Sequence, residues 1–177
     1  MHAKRHTGMA HPLPEAVGGP STAVRPPKRI LIVDDLPLTR RGLSLIIEAE
    51  PDLVVCGQTG DAAHTLALIE RRRPDLVTVG LAFPDMPGVE LIRRIRLRHP
   101  DVPILVVSRH DEGISVEQAL EAGAQGYLTK YEAGAALVDA IHRLLEGETY
   151  VGEAVRERLG FVRYHGRMPW GEDEATC

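Results

Sequence analysis

The chain reads as an α/β protein: a doubly wound sandwich of five strand–helix units around one parallel sheet. Three observations predict this. Short apolar runs rich in β-branched residues alternate with helix-periodic stretches along residues 28–150. The connections between them are short, as successive βα units require. The chain of 177 residues is also long enough to bury a core without disulfide or metal staples.

The strand runs come first in each unit. They are Ile30-Leu31-Ile32-Val33, Leu53-Val54-Val55-Cys56, Leu76-Val77-Thr78-Val79 and Ile104-Leu105-Val106-Val107, with a weaker fifth at Gly126-Tyr127-Leu128. Unbroken apolar runs suit strands covered on both faces, whereas a sheet wet on one side alternates apolar and polar residues.

Amphipathic helices fill the intervals. Leu43, Ile46 and Ile47 make the inward stripe of 38–49, and Ala62, Leu66 and Ile69 that of 61–72. Leu91, Ile92 and Ile95 face inward in 88–98, while Arg93, Arg94, Arg96 and Arg98 spread over the rest. Without interleaved aromatic residues these arginines read as a solvated face rather than a nucleic-acid patch. Val116, Ala119, Leu120 and Gly123 line the fourth helix, and Leu137, Ala140, Ile141 and Leu144 the fifth.

Five such units with right-handed crossovers predict the strand order 2-1-3-4-5. In that order ligands sit outside the carboxyl ends of strands 1 and 3, where the direction of winding reverses. Asp34, Asp35, Gly80, Ser108 and Lys130 all fall at strand ends of this edge.

The flanks lack such patterning. Residues 1–27 carry Pro12, Pro14, Pro20, Pro26 and Pro27 and too little apolar surface to offset the entropy of ordering, so a disordered tail is expected. Its His2, His6 and His11 are irregularly spaced and read as solvated rather than metal-binding. After Tyr150, Glu153 to Leu159 suits one short helix, and the remainder through Met168-Pro169-Trp170 to 177 is irregular.

Composition narrows the function classes. The chain has 44% hydrophobic and 26% charged residues, an ordinary globular balance, and its net charge of −4 argues against a general nucleic-acid binder. Cys56 and Cys177 form no CxxC motif or disulfide framework. No stretch reads as a membrane span or signal peptide. A cytoplasmic protein without membrane attachment is expected.

Paired carboxylates at a strand end form a hard-oxygen site suited to Mg²⁺, although an Asp there also serves to cap the following helix. Lys130 supplies a point charge toward anionic groups, and Ser108 a hydroxyl donor. The order of motifs, Ile32-Val33-Asp34-Asp35, Pro84-Asp85-Met86-Pro87-Gly88, Ser108 and Gly126-Tyr127-Leu128-Thr129-Lys130, resembles the receiver domain of bacterial two-component response regulators. Ser108-Arg109-His110-Asp111-Glu112 and Ala122-Gly123-Ala124-Gln125-Gly126-Tyr127 are similar to the branch that carries a LuxR-type helix-turn-helix output. The resemblance covers residues 28–150 and implies the flavodoxin-like, CheY-like form of the fold.

It further implies roles. Asp34 and Asp35 would hold Mg²⁺ together with the backbone carbonyl of Ala82. Ser108 and Tyr127 would be the switch residues, and Lys130 would pair with the active-site charge. The family's phosphoacceptor aspartate belongs at the end of the third strand, where this chain has Val79-Gly80-Leu81. Glycine offers no nucleophile and removes one anionic metal ligand. No catalytic residue is therefore expected, Mg²⁺ binding should be weakened, and Lys130 should turn toward Asp34 or Asp35. Gly80 also admits a plain structural reading, since glycine at a strand end permits close approach. Its missing side chain leaves room in principle for water or a small ligand.

The functional expectation is a phosphorylation-independent pseudo-receiver, not an enzyme, acting in phosphorelay signalling through protein contacts. Its partner would be a histidine kinase, a cognate regulator or a second copy as a homodimer, met through the face of the fourth helix, fifth strand and fifth helix. The alternative is a conventional Asp-phosphorylated transcriptional regulator of which this chain is a variant or truncated form. No helix-turn-helix pattern follows residue 150, so DNA binding by this chain alone is not expected. A dinucleotide enzyme is disfavoured because Asp34-Asp35-Leu36-Pro37 replaces GxGxxG, and a dehalogenase-type phosphatase because Leu36 breaks Asp-x-Asp.

Overall fold

The computed structural model describes residues 25–109 and 113–161. The strands are β1 (Lys28–Val33), β2 (Leu53–Thr59), β3 (Leu76–Val79), β4 (Ile104–Ser108), β5 (Gly126–Thr129) and β6 (Tyr150–Val151). The helices are α1 (Pro37–Glu48), α2 (Ala62–Arg72), α3 (Gly88–Arg98), α4 (Gly113–Glu121), α5 (Ala133–Leu145) and α6 (Glu153–Phe161). The histidines of the N-terminal tail, His110, Asp111 and Glu112, and the stretch around Met168-Pro169-Trp170 lie outside the described residues.

The sheet is parallel throughout, in the order β2-β1-β3-β4-β5-β6. The expected order of five is present, extended by β6 along the outer edge of β5. Two residues are too few for any hydrophobic period to register, which is why β6 is invisible in the sequence. The packed unit accordingly runs past residue 150: Tyr127 pairs with Val151, and Val155 of α6 is fully buried.

The pleat divides each apolar run between two cores. Ile30 and Ile32 of β1 point to the layer of α1 and α5, with Leu43, Ile47, Leu137 and Ile141. Leu31 and Val33 point the other way, with Leu91, Ile92, Ile95 and Val116. The β-branched runs thus serve both faces, the physical content of a sheet covered on two sides. Cys56 is the extra residue of a bulge on β2, where the register passes from Ile30 opposite Val55 to Leu31 opposite Gly57. It is half-buried and free, and burial pushes its thiol pKa up.

The solvated-face reading of the third helix holds for Arg93, Arg94 and Arg98, which are exposed. It needs correction for Arg96. That guanidinium folds over the end of α4 and donates to the carbonyl of Gly123 at 2.8 Å and to Gln125 Oε1 at 2.7 Å. Gln125 Oε1 also accepts from the backbone of Ile104 at 2.9 Å. The chain beyond α4 turns through Gly123 at φ 108°, a left-handed position that favours glycine, and Arg96 clamps that turn against β4.

Candidate functional site

The carboxyl ends of β1, β3, β4 and β5 converge on one edge of the sheet, and each delivers one residue of the site. Asp34 follows β1 directly. Its backbone N–H donates to Thr59 at 3.1 Å, and its side chain is only 2% exposed. Asp34 Oδ1 accepts from the backbone of Leu36 at 3.0 Å, shaping the turn into α1, where Pro37 occupies the first turn. Part of the role of this aspartate is therefore local, but it is not the capping of α1: the N-cap is Leu36, and no side chain caps the helix.

Its other oxygen defines the site. Asp34 Oδ2 is buried and receives no hydrogen bond of good geometry, but the Lys130 ammonium lies 2.6 Å away. Charge attraction needs no angular alignment, so this contact is an ion pair. Lys130 Nζ also donates to Thr39 Oγ1 at 3.2 Å, tying β5 to the first turn of α1. Of the two carboxylates open to Lys130, the structure selects Asp34; Asp35 is half-exposed.

Gly80 ends β3 opposite this pair and is buried, with its N–H bonded to Val33 at 2.8 Å. A β-carbon placed on Gly80 would lie 2.7 Å from Asp34 Oδ2 and 3.3 Å from Asp34 Cγ. Asp34 thus leans into the volume in which a side chain at position 80 would begin. The place of the first side-chain atom at position 80 is thus crowded by a carboxylate of the chain itself.

Gly88 holds the loop between β3 and α3 against the same edge. Its N–H donates to Leu81 at 3.0 Å, and a β-carbon on it would fall 2.5 Å from the carbonyl oxygen of Gly80. The glycine of the Pro-Asp-Met-Pro-Gly turn is required by backbone packing on backbone. Asp85 of that turn is exposed yet accepts from the N–H of Ala63 at 2.9 Å, fastening the loop to the first turn of α2. Ala82 is exposed in that loop.

Ser108 at the end of β4 is 3% exposed, and its carbonyl accepts from the N–H of Lys130 at 2.7 Å. Tyr127 is fully buried in the layer that holds Val116 and Ala119 of α4. Thr78 lies one strand repeat below the edge, buried, with its hydroxyl lacking a hydrogen-bond partner.

Sequence reasoning missed Arg40. Its guanidinium donates to the carbonyls of Asp34 at 2.7 Å and Asp35 at 3.1 Å, placing a second cation beside the acidic pair. An arginine one turn into a helix carries no signal that distinguishes it from a surface residue.

Whether these residues suit a divalent ion follows from the same distances. Asp34 has one oxygen engaged by Leu36 and the other by an ammonium, so a cation would have to displace Lys130. Gly80 contributes no ligand, and among the described residues no group of three or more His, Cys, Asp or Glu side chains is arranged to hold a metal. As they stand, the residues do not fit Mg²⁺, which demands near-ideal octahedral oxygen geometry.

A family model, the response regulator receiver domain, matches residues 30–142. The transcriptional regulatory protein DegU of Brevibacillus brevis is 34% identical over 146 residues, covering 82% of this chain and 61% of DegU. The nitrate/nitrite response regulator NarL of Escherichia coli K12 is 35% identical over 131 residues, covering 73% and 60% of the two chains. The chain thus spans less than two thirds of the length of these relatives. A two-component response regulator of the LuxR family from Aurantimonas sp. SI85-9A1 has a similar structure at a TM-score of 0.74 and 33% identity, covering 77% of this chain and 98% of that one. The receiver domain of a putative NarL from Mycobacterium tuberculosis follows at 0.66 and 30%, covering 70% and 99%.

Proposed function

From the premise that this chain belongs to the response regulator receiver domain family of two-component signalling, we propose that it works as a pseudo-receiver, without aspartyl phosphorylation. One observation carries the proposal: the position directly after β3 is Gly80, and the carboxylate of Asp34, paired with Lys130, lies against the place its β-carbon would take. An acyl phosphate needs a carboxylate nucleophile at this edge. The buried Asp34 has its Oδ2 2.6 Å from an ammonium, Thr78 is sequestered below the edge, and Asp85 is bonded to α2.

Signalling then rests on surface contacts. The face formed by α4, β5 and α5 is the proposed meeting place for a histidine kinase, a cognate regulator or a second copy of the chain. The warrant is the family's habit rather than a contact in the structure. Binding of DNA by this chain alone is not part of the proposal, given its net charge of −4. Among the described residues no helix is long and apolar enough to cross a membrane.

Intact-mass spectrometry after incubation with acetyl phosphate and Mg²⁺ tests the proposal, with Gly80→Asp as the paired control. A phosphoryl mass only on the variant is the expected outcome. In Gly80→Asp the Asp34 side chain has to swing aside, which also frees an oxygen for the metal. A phosphoryl mass on the unaltered chain overturns the proposal and favours the alternative suggested by the relatives' names, a conventional transcriptional response regulator.

A further inference from the structure

Glu132 stands at the N-terminal cap position of α5, yet its side chain makes no capping bond to that helix. Its carboxylate instead reaches the start of a different one. Oε1 accepts from the backbone N–H of Ala154, in the first turn of α6, at 2.8 Å. Oε2 accepts from the Thr129 hydroxyl at 2.6 Å and the Thr129 N–H at 3.2 Å. Thr129 directly precedes Lys130. A single carboxylate therefore joins the strand end that bears the site lysine to the first turn of α6. An anionic cap at a helix start is favoured both by the orphan N–H groups and by the helix dipole.

A second, independent feature closes on the same carboxylate. A β-carbon on Gly152 would lie 2.6 Å from Glu132 Oε2 and 2.8 Å from Oε1, so any larger residue there pushes the carboxylate out of this position. The N–H of Gly152 also donates to Tyr127 at 2.8 Å, and that of Tyr150 to Gln125 at 3.0 Å. Val155, one residue beyond Ala154, is fully buried with Val116, Ala119 and Tyr127. The segment that leaves α5 thus lies along the edge of β5 and against α4.

We infer that β6 and the first turn of α6 form an intramolecular clasp over the α4–β5 half of the α4–β5–α5 face, locked by Glu132 through Gly152. A partner that needs the edge of β5 meets the clasp first and has to displace it. This inference rests on the proposed working face only for its functional meaning; the clasp itself is tested without any phosphorylation assay.

Hydrogen–deuterium exchange of the full chain, resolved to 150–157 and 137–145, is the test. Glu132→Ala should raise exchange in the first turn of α6 at least about tenfold, because a charge-assisted bond and its partner N–H are both released. Exchange over 137–145 should stay unchanged, since the Glu132 side chain makes no capping bond to α5 and its backbone carbonyl, which accepts from Ala135 and Ala136, is kept in the variant. Glu132→Gln, which keeps acceptor capacity but loses the charge, should give a smaller rise in the same place. Gly152→Ala should release α6 as Glu132→Ala does, and it decides the matter should Glu132→Ala fail to fold. Unchanged protection of α6 in Gly152→Ala, or equal loss of protection in α5 and α6 of Glu132→Ala, overturns the clasp.

Discussion

Replacing Lys130 by methionine removes the ammonium from Asp34 and keeps most of the aliphatic stem. Asp34 is then a 2%-exposed carboxylate that keeps, among the described residues, the 3.0 Å bond from the N–H of Leu36. Stranding one member of a buried pair costs about 3–5 kcal/mol, because the remaining charge has lost both water and partner. For a packed unit of this size that corresponds to a fall in Tm of roughly 10–20 °C. The complementary change, Asp34→Asn, should be milder, about 1–3 kcal/mol. Lys130 is 16% exposed and still bonds Thr39, so its charge can turn toward water. Urea unfolding of both variants at two salt concentrations measures the asymmetry, and burial predicts little dependence on ionic strength. A cost below about 1 kcal/mol for Lys130→Met, abolished by salt, would place the pair with exposed ion pairs. The account of a self-neutralised site would then fail.

Two further outcomes follow from single positions. Gly88→Ala forces a β-carbon to within 2.5 Å of backbone atoms of Gly80 and Leu81, which cannot rotate away. A loss of about 1–3 kcal/mol or more, read by thermal melting, is expected, with the loop from 81 to 87 displaced. At Glu132, burial disfavours the charge. The bonds from the Thr129 hydroxyl and from the N–H groups of Ala154, Thr129 and Glu153 outweigh that penalty and hold the carboxyl below its ordinary value of 4.5. Its contribution to stability is therefore complete above the unfolded value and lost as pH falls through the lower folded one. Melting curves from pH 6 downward should show a pH-dependent loss that Glu132→Gln lacks.

Much of this molecule is legible from its chain. Unbroken runs such as Ile30–Val33 predict parallel strands because both faces of such a strand must be apolar, and the fold bears this out. The inward stripe Leu91, Ile92 and Ile95 is fully buried. The chemical deficit at position 80 is likewise a matter of residue identity, since no fold gives glycine a nucleophile. What remained open was every decision made by side chains meeting across elements distant in the chain. Lys130 could reach two carboxylates by sequence, and only the packed edge chooses Asp34. Arg96 carries the same letter as Arg93 and Arg94, yet the turn at Gly123 draws it inward. Glu132 looks like an ordinary helix-start acid and in fact fastens another helix. Periodicity reports how a residue faces its own element, and it therefore determined the layers of this protein, while the order of the first five strands follows from the right-handed crossovers of successive βα units. Ion pairs, clamps and the clasp depend on distances between elements, which exist only once the sheet has assembled.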